Sequence, residues 1–280
     1  MPSLRTIINI AVYVFATIGF VLVFGYVAVR FGLTNTNGII DTQREAFLGS
    51  ATSTYTGGIY DVVPSLSWTA TPEWQTLDAA IRKDVPAINR AAADSGVPAR
   101  LIVANLITEQ LRLFFTDRED YKQFFLPLKI LGSQTQFSWG IMGMKEATAI
   151  QVEQNLASTS SPYYPGPQYA SFLDFPANTT DVSQARFTRM TDQHDHYWSY
   201  VYAGLFMKEV EIQWQRAGFP IEDKPAIIST LFNIGFTHSM PNANPQVGGA
   251  QIDIASTTYS FGGLAADFYG SNILTDVFPK

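Results

Sequence analysis

Residues 101–115 read LIVANLITEQLRLFF. Apolar residues recur on every face at helical period, so the stretch predicts a helix that is buried nearly all round. Glu109 stands near its middle. A carboxylate taken out of water is costly unless it is paired or hydrogen-bonded, so this one is either half of a structural ion pair or a working acid. Arg112 lies three residues on, the separation that sets two side chains side by side on a helix. The apolar surroundings supply the other reading. Desolvation favours the neutral form of a carboxylic acid, which is the form a general acid needs at neutral pH. The catalytic reading expects Glu109 and Arg112 to point apart.

Outward from this helix the text is mainly α. PEWQTLDAAIRKDVPAINRAAADSG (72–96) predicts helical turns interrupted at Pro86, with Gly96 as a C-terminal cap and Pro98 opening the helix over about 98–116. A turn at SWGIMGM leads into a helix over about 144–157, and HYWSYVYAGLFMKEVEIQWQRAG (196–218) predicts an amphipathic helix closed by Gly218. IEDKPAIISTLFNIG predicts a helix over about 222–234 ended by Gly235, and the C-terminal YSFGGLAADFYGSNILTDVF is also helical in pattern. No period-2 run of any length predicts a strand. Residues 158–190, rich in Pro, Ser, Thr and aromatics, form an insertion expected to rim a site rather than build a core.

The N-terminus has a different character. Ile7 to Val29 is an uncharged apolar run of about 23 residues, with Arg5 before it and Arg30 after it. About 20 such residues suffice to span a bilayer. Residues 1–30 are therefore expected to be a membrane anchor with a cytoplasmic N-terminus, and 31–72, rich in Thr, Ser and Gly, a linker or partly ordered tether. The remainder, 73–280, is one helical domain facing outward. The chain has a net charge of −6 and no cysteine. That composition gives no electrostatic reason to expect nucleic acid, and it excludes disulfides and thiolate metal sites.

Four blocks carry a resemblance. AAADSGVPARLIVANLITEQ (91–110) is similar to the segment around the catalytic glutamate of the lytic transglycosylase and goose-type lysozyme superfamily. GIMGMKEATA (140–149) aligns without a gap with that superfamily's Gly-Leu-Met-Gln-x-x-Pro-x-Thr-Ala block. YAGLFMKEVEIQW (202–214) is similar to the helix after its variable middle, and LFNIG (231–235) stands where it has Tyr-Asn-Ala-Gly. The resemblance implies a lysozyme-like helical domain that cleaves the β-1,4 bond between N-acetylmuramic acid and N-acetylglucosamine in peptidoglycan. It implies Glu109 as general acid and then base, and Gln110, Ser138, Gly140, Met142, Phe232 and Asn233 as substrate-binding positions.

No cofactor and no metal are expected; the resemblance implies glycan strands as partners, with unspecified envelope components, in a bacterial setting, and the N-terminal run adds the membrane and a place at the outer face of the cytoplasmic membrane. Three positions depart from the pattern: Gln110 replaces the usual Ser, Gly143 a Gln, and Phe232 a Tyr. Hydrolysis by inversion needs a second carboxylate about 6.5–9.5 Å from the first to hold a water. After Glu109 the chain offers Asp117, Glu119 and Asp120, then no acid until Glu146, and the superfamily's helper aspartates fall where Lys122 and Ser133 stand. A transglycosylase with a 1,6-anhydro product is therefore expected over a muramidase, with a catalytically impaired glycan-binding scaffold as a further alternative.

Two other features invite a site. His194 and His196 form an H-x-H pair, more readily a polar loop-to-helix junction than a metal site. The paired glycines Gly248–Gly249 and Gly262–Gly263 read as turns, and Tyr163, Tyr164, Tyr169 and Phe172 either face sugars or cover the core.

Overall fold

Thr71 caps a helix: its hydroxyl accepts the Trp74 N–H at 3.2 Å, and Pro72 occupies the first turn, where no N–H is needed. In this computed structural model the described residues are 13, 47–48, 67–115, 138–254 and 256–280. Apart from Tyr13 the expected anchor lies outside them, and among the described residues no helix is long and apolar enough to cross a membrane. By contacts the chain falls into two units, Ile39–Thr116 with Gln134–Lys280 and Met1–Gly38 with Asp117–Ser133. The architecture that follows is that of the first.

Helix α1 (Pro72–Lys83) stops at Asp84 and α2 (Val85–Ser95) starts at once, with Pro86 in its first turn. Gly96, at φ 70°, caps α2 by donating its N–H to Ala92 at 2.9 Å. Helix α3 spans Ala99–Phe115, one residue after Pro98, whose carbonyl receives the first backbone bonds. Every α3 residue from 100 to 113 is buried, as its all-round apolarity requires.

Strands β1 (Ser138–Trp139) and β2 (Met144–Lys145) form a short antiparallel hairpin that runs straight into α4 (Glu146–Ala157). Helix α5 (Val182–Met190) ends the insertion, and α6 (Tyr197–Arg216) is the second central helix. Residues 199–207 of α6 are buried without interruption, so it is enclosed over its N-terminal half rather than amphipathic throughout. Helix α7 (Pro225–Ile234) follows, starting three residues later than expected because Pro225 sets its first turn. Strands β3 (Gln251–Ile254) and β4 (Thr257–Ser260) make a second hairpin leading into α8 (Phe261–Gly270). This hairpin corrects the expectation of no strand. Its alternation is short, with Ile252 and Ile254 facing the core and Gln251 and Asp253 outside.

The domain is thus mainly helical, with eight α-helices among the described residues. Helix α2 crosses α6 closely because Gly204 has no Cβ: one built there would lie 2.5 Å from Ser95 Oγ. Helix α8 lies against α7 and α3, and α1 and α2 flank α3.

Arg100, 1 % exposed, fastens the C-terminus. Its guanidinium donates to the carbonyls of Phe268, Tyr269, Ser271, Ile273 and Phe278 at 2.7–3.0 Å.

Two expectations need correction. Phe47 and Trp68, from the stretch read as linker, are fully buried core residues, since aromatic rings of that size gain by packing wherever the chain can deliver them. The insertion also contributes core: Leu173 and Met190 are buried. It is held by arginines capping its carbonyls. Arg216 donates to Ser161, Pro162 and Tyr164, and Arg189 to Leu173 and Asp174. Tyr163, Tyr169 and Phe172 pack on the core, with Tyr169 donating to the Ser95 carbonyl at 3.2 Å.

Candidate functional site

Glu109 lies on α3 with 4 % of its surface exposed, and both of its oxygens accept from Arg112. The Nε–Oε2 bond is 3.0 Å, and Nη2 donates to Oε1. The two side chains therefore do not point apart. At i,i+3 spacing on a helix the carboxylate lies within reach of the planar guanidinium fork.

The turn of the first hairpin closes over this pair. Gly143 has φ 64°, a left-handed conformation that favours glycine, and a Cβ on it would overlap Oε1 of Glu109. A glutamine at 143 would have to occupy space already taken by the carboxylate. The departure at 143 is thus matched to Glu109. Next door, Gln110 donates its amide to the Ile141 carbonyl at 2.6 Å and is 1 % exposed. Its side chain ties α3 to the turn instead of facing a ligand.

The other expected positions serve mostly as framework. Ser138 pairs with Lys145 across the hairpin. Met142 is buried, and its N–H reaches Ser199 Oγ at 3.3 Å. Gly140, at φ 66°, sits where a Cβ would meet the Met190 carbonyl and Ser199. Phe232 meets Phe206 edge to face at 5.6 Å, so its hydroxyl-free ring is a packing element. Asn233 accepts the Ala250 N–H at 2.8 Å, which pins the loop before β3 to α7. Glu109, Gln110, Ile141 and Gly143 thus come together, whereas the contacts of Phe232 and Asn233 lie with α6, α8 and that loop. Asp117, Glu119 and Asp120 are outside the described residues.

Three buried polar groups form that the sequence did not foresee, although His196 of the first was singled out. His196 caps α6 and bonds Asp84 through Nδ1 at 2.6 Å, and Tyr200 donates to the same Asp84 oxygen at 2.8 Å. This trio joins the α1–α2 junction to α6, while His194 stays exposed, so the H-x-H pair is split between core and surface. Arg186 bridges Glu153 and Glu146, with Tyr202 donating to Glu153. Glu209 is fully buried on α6 and accepts from Asn155 at 2.9 Å; burial pushes its carboxyl well above the usual range. A carboxylate in an apolar helical run was a signal shared with Glu109. Glu209 has no exposed surface through which a substrate could reach it.

Gly248 and Gly249 lie in the loop before β3, and Gly262 seats α8 on α7, where a Cβ would overlap Thr230 Oγ1. On the far part of the insertion, an open groove of about 670 Å³ is lined by Asn178, Thr179, Thr180, Gln184, Thr188 and Trp198 among others. Comparison with family models, curated proteins and solved structures returned no match.

Proposed function

We propose that the chain is a membrane-anchored lytic transglycosylase that cleaves peptidoglycan between N-acetylmuramic acid and N-acetylglucosamine, with Glu109 as general acid and base. One observation carries this reading. The Glu109 carboxylate and the 140–143 turn, about 30 residues apart in sequence, meet at Gly143, so two blocks of the resemblance converge on one carboxylate. A carboxyl at such a helix–hairpin junction can protonate a leaving glycosidic oxygen. It can then, as carboxylate, take the proton of the sugar's own 6-hydroxyl as that oxygen closes on C1. The proton balance needs one carboxyl group, and Glu109 lies against the turn.

In this reading the N-terminal run holds the domain at the outer face of a bacterial cytoplasmic membrane, where glycan strands are within reach. The test is digestion of purified peptidoglycan by the full chain in detergent, with products weighed by mass spectrometry. Anhydro-muropeptides are the expected result. Hydrated reducing ends instead would identify a muramidase, and no release at all would refute cleavage.

A second reading has its own observation. The clasp of Arg112 on both Glu109 oxygens suits a scaffold of the same fold that holds glycan without cutting it. Sedimentation with insoluble peptidoglycan, without soluble product, would select it.

A further inference from the structure

The open groove of about 670 Å³ on the insertion shares no lining residue with the Glu109 junction. Helix α5 forms one side of it. Asp181, Gln184, Ala185 and Thr188 recur at helical spacing on one face and line the groove together. The rest of α5 is spent on packing. Arg186 donates to Glu153 at 2.7 Å, Phe187 meets Trp139 edge to face at 5.2 Å, and Met190 is buried. The helix is thus fixed from behind, with its groove face left to solvent.

The groove presents hydrogen-bonding groups that the fold does not consume. Among the described residues, the side chains of Asn178, Thr179 and Thr180 and the indole N–H of Trp198 make no hydrogen bond. An amide brings both donors and an acceptor, and each hydroxyl a donor and two acceptor lone pairs.

Its charges, by contrast, are committed. Asp181 caps α5, accepting the Gln184 N–H at 2.9 Å. Arg189 donates to the carbonyls of Leu173 at 2.8 Å and Asp174 at 3.3 Å, and its guanidinium lies over the rings of Phe175 at 3.9 Å and Trp198 at 4.4 Å. No uncommitted cation lines the groove to take an anion, and the Asp181 carboxylate repels one. Ala185 and Trp198 offer too little apolar surface for an amphipathic helix, and no described strand lends an edge for an extended peptide to pair with. The chemistry left is that of a neutral ligand rich in hydroxyls and amides, with enough apolar surface to lie against an indole. An N-acetylated oligosaccharide has all of these. The open ends suit a polymer that runs on in both directions, where a small molecule is usually engulfed.

We propose that this groove is a saccharide-binding site that holds a neutral, N-acetylated glycan strand apart from the Glu109 junction. The site goes beyond the cleavage reading and stands whether or not the chain cuts. Its register with the hairpin is fixed, because Phe187 packs on Trp139 and the Met190 carbonyl abuts Gly140.

The experiment uses the full chain in detergent, labelled with 5-fluorotryptophan. The five tryptophans give five fluorine signals, and Trp198→Phe assigns the one in the groove. Titration with chitohexaose is expected to move the Trp198 signal saturably, with a Kd of about 1 mM or tighter. Asn178→Ala is expected to weaken binding about three- to tenfold, as one amide's hydrogen bonds are lost. Thr188→Tyr, which fills the groove from an exposed position on α5, is expected to abolish it. The peptide (Ser-Thr)5, with hydroxyls and amides on a backbone that finds no strand edge, is expected to leave the signal in place. No saturable shift with chitohexaose overturns the proposal, as does a shift that both variants leave unchanged. An equal response to the peptide overturns the assignment to saccharide. Peptidoglycan digestion by the same preparations separates the two readings. Muropeptide release without binding at Trp198 removes the groove alone, and binding without release removes cleavage alone.

Discussion

Arg112 donates to both carboxylate oxygens of Glu109, and the Gly143 backbone packs so close that a Cβ there would overlap Oε1, so the Glu109 carboxyl is clasped and crowded at once. Glu109→Gln is expected to abolish glycan cleavage, since an amide neither gives nor takes the required proton. The amide oxygen still accepts one guanidinium bond, so the fold should survive with a loss of about 1–3 kcal/mol. Muropeptide release and urea unfolding on the same preparation measure the two effects, and full activity in this variant would remove Glu109 from the mechanism.

Gly143→Ala carries two penalties. The left-handed backbone at φ 64° is strained for alanine, and the new methyl overlaps the carboxylate. A loss of roughly 1–3 kcal/mol is expected from the backbone alone, with a further loss of activity as Glu109 is pushed from its place. An unchanged melting temperature would show that the turn is not packed against Glu109 in solution.

Arg100 offers a test of the fold remote from the site. Its five carbonyl bonds are the tie between the start of α3 and residues 268–278. Arg100→Met keeps the apolar stem but abandons those buried carbonyls, at a cost of about 1–3 kcal/mol for each one that water does not reach. The C-terminal segment should become the first site of limited proteolysis, before any cut within α6.

Stability should fall as pH rises because of Glu209. Burial raises its carboxyl in the folded state, so the folded chain holds this proton where the unfolded chain has released it. The contribution is fully favourable below the ordinary glutamate range and is lost as pH climbs from there toward the raised folded value. Thermal melts between about pH 4.5 and 8 should show this decline. Glu209→Gln, which cannot ionise, should flatten the slope whatever it does to the absolute stability.

Much of the helical plan was legible from local chemistry. Gly96, Pro86, Gly218 and Gly235 mark helix ends because their backbone restrictions act within a turn, and LIVANLITEQLRLFF announced burial by leaving no polar face. The β3–β4 hairpin was missed because four residues of alternation are too few to stand out from a helical background. Phe47 and Trp68 were assigned to a linker because the polar residues around them hide two core aromatics. In the site, Glu109 was legible and its neighbourhood was not. Gln110 and Met142 were read as facing a ligand, whereas the structure turns them to the Ile141 carbonyl and the core.

By itself, then, the sequence determined a mainly helical domain, its principal breaks, and a carboxylate embedded in an apolar helix, since each of these follows from the order of residues within a few turns. Only the tertiary structure decided where that carboxylate's hydrogen bonds go. Spacing placed Arg112 within reach, but that it clasps both oxygens, and that the hairpin brings Gly143 against Oε1, are facts of the packing that no local order of residues fixes.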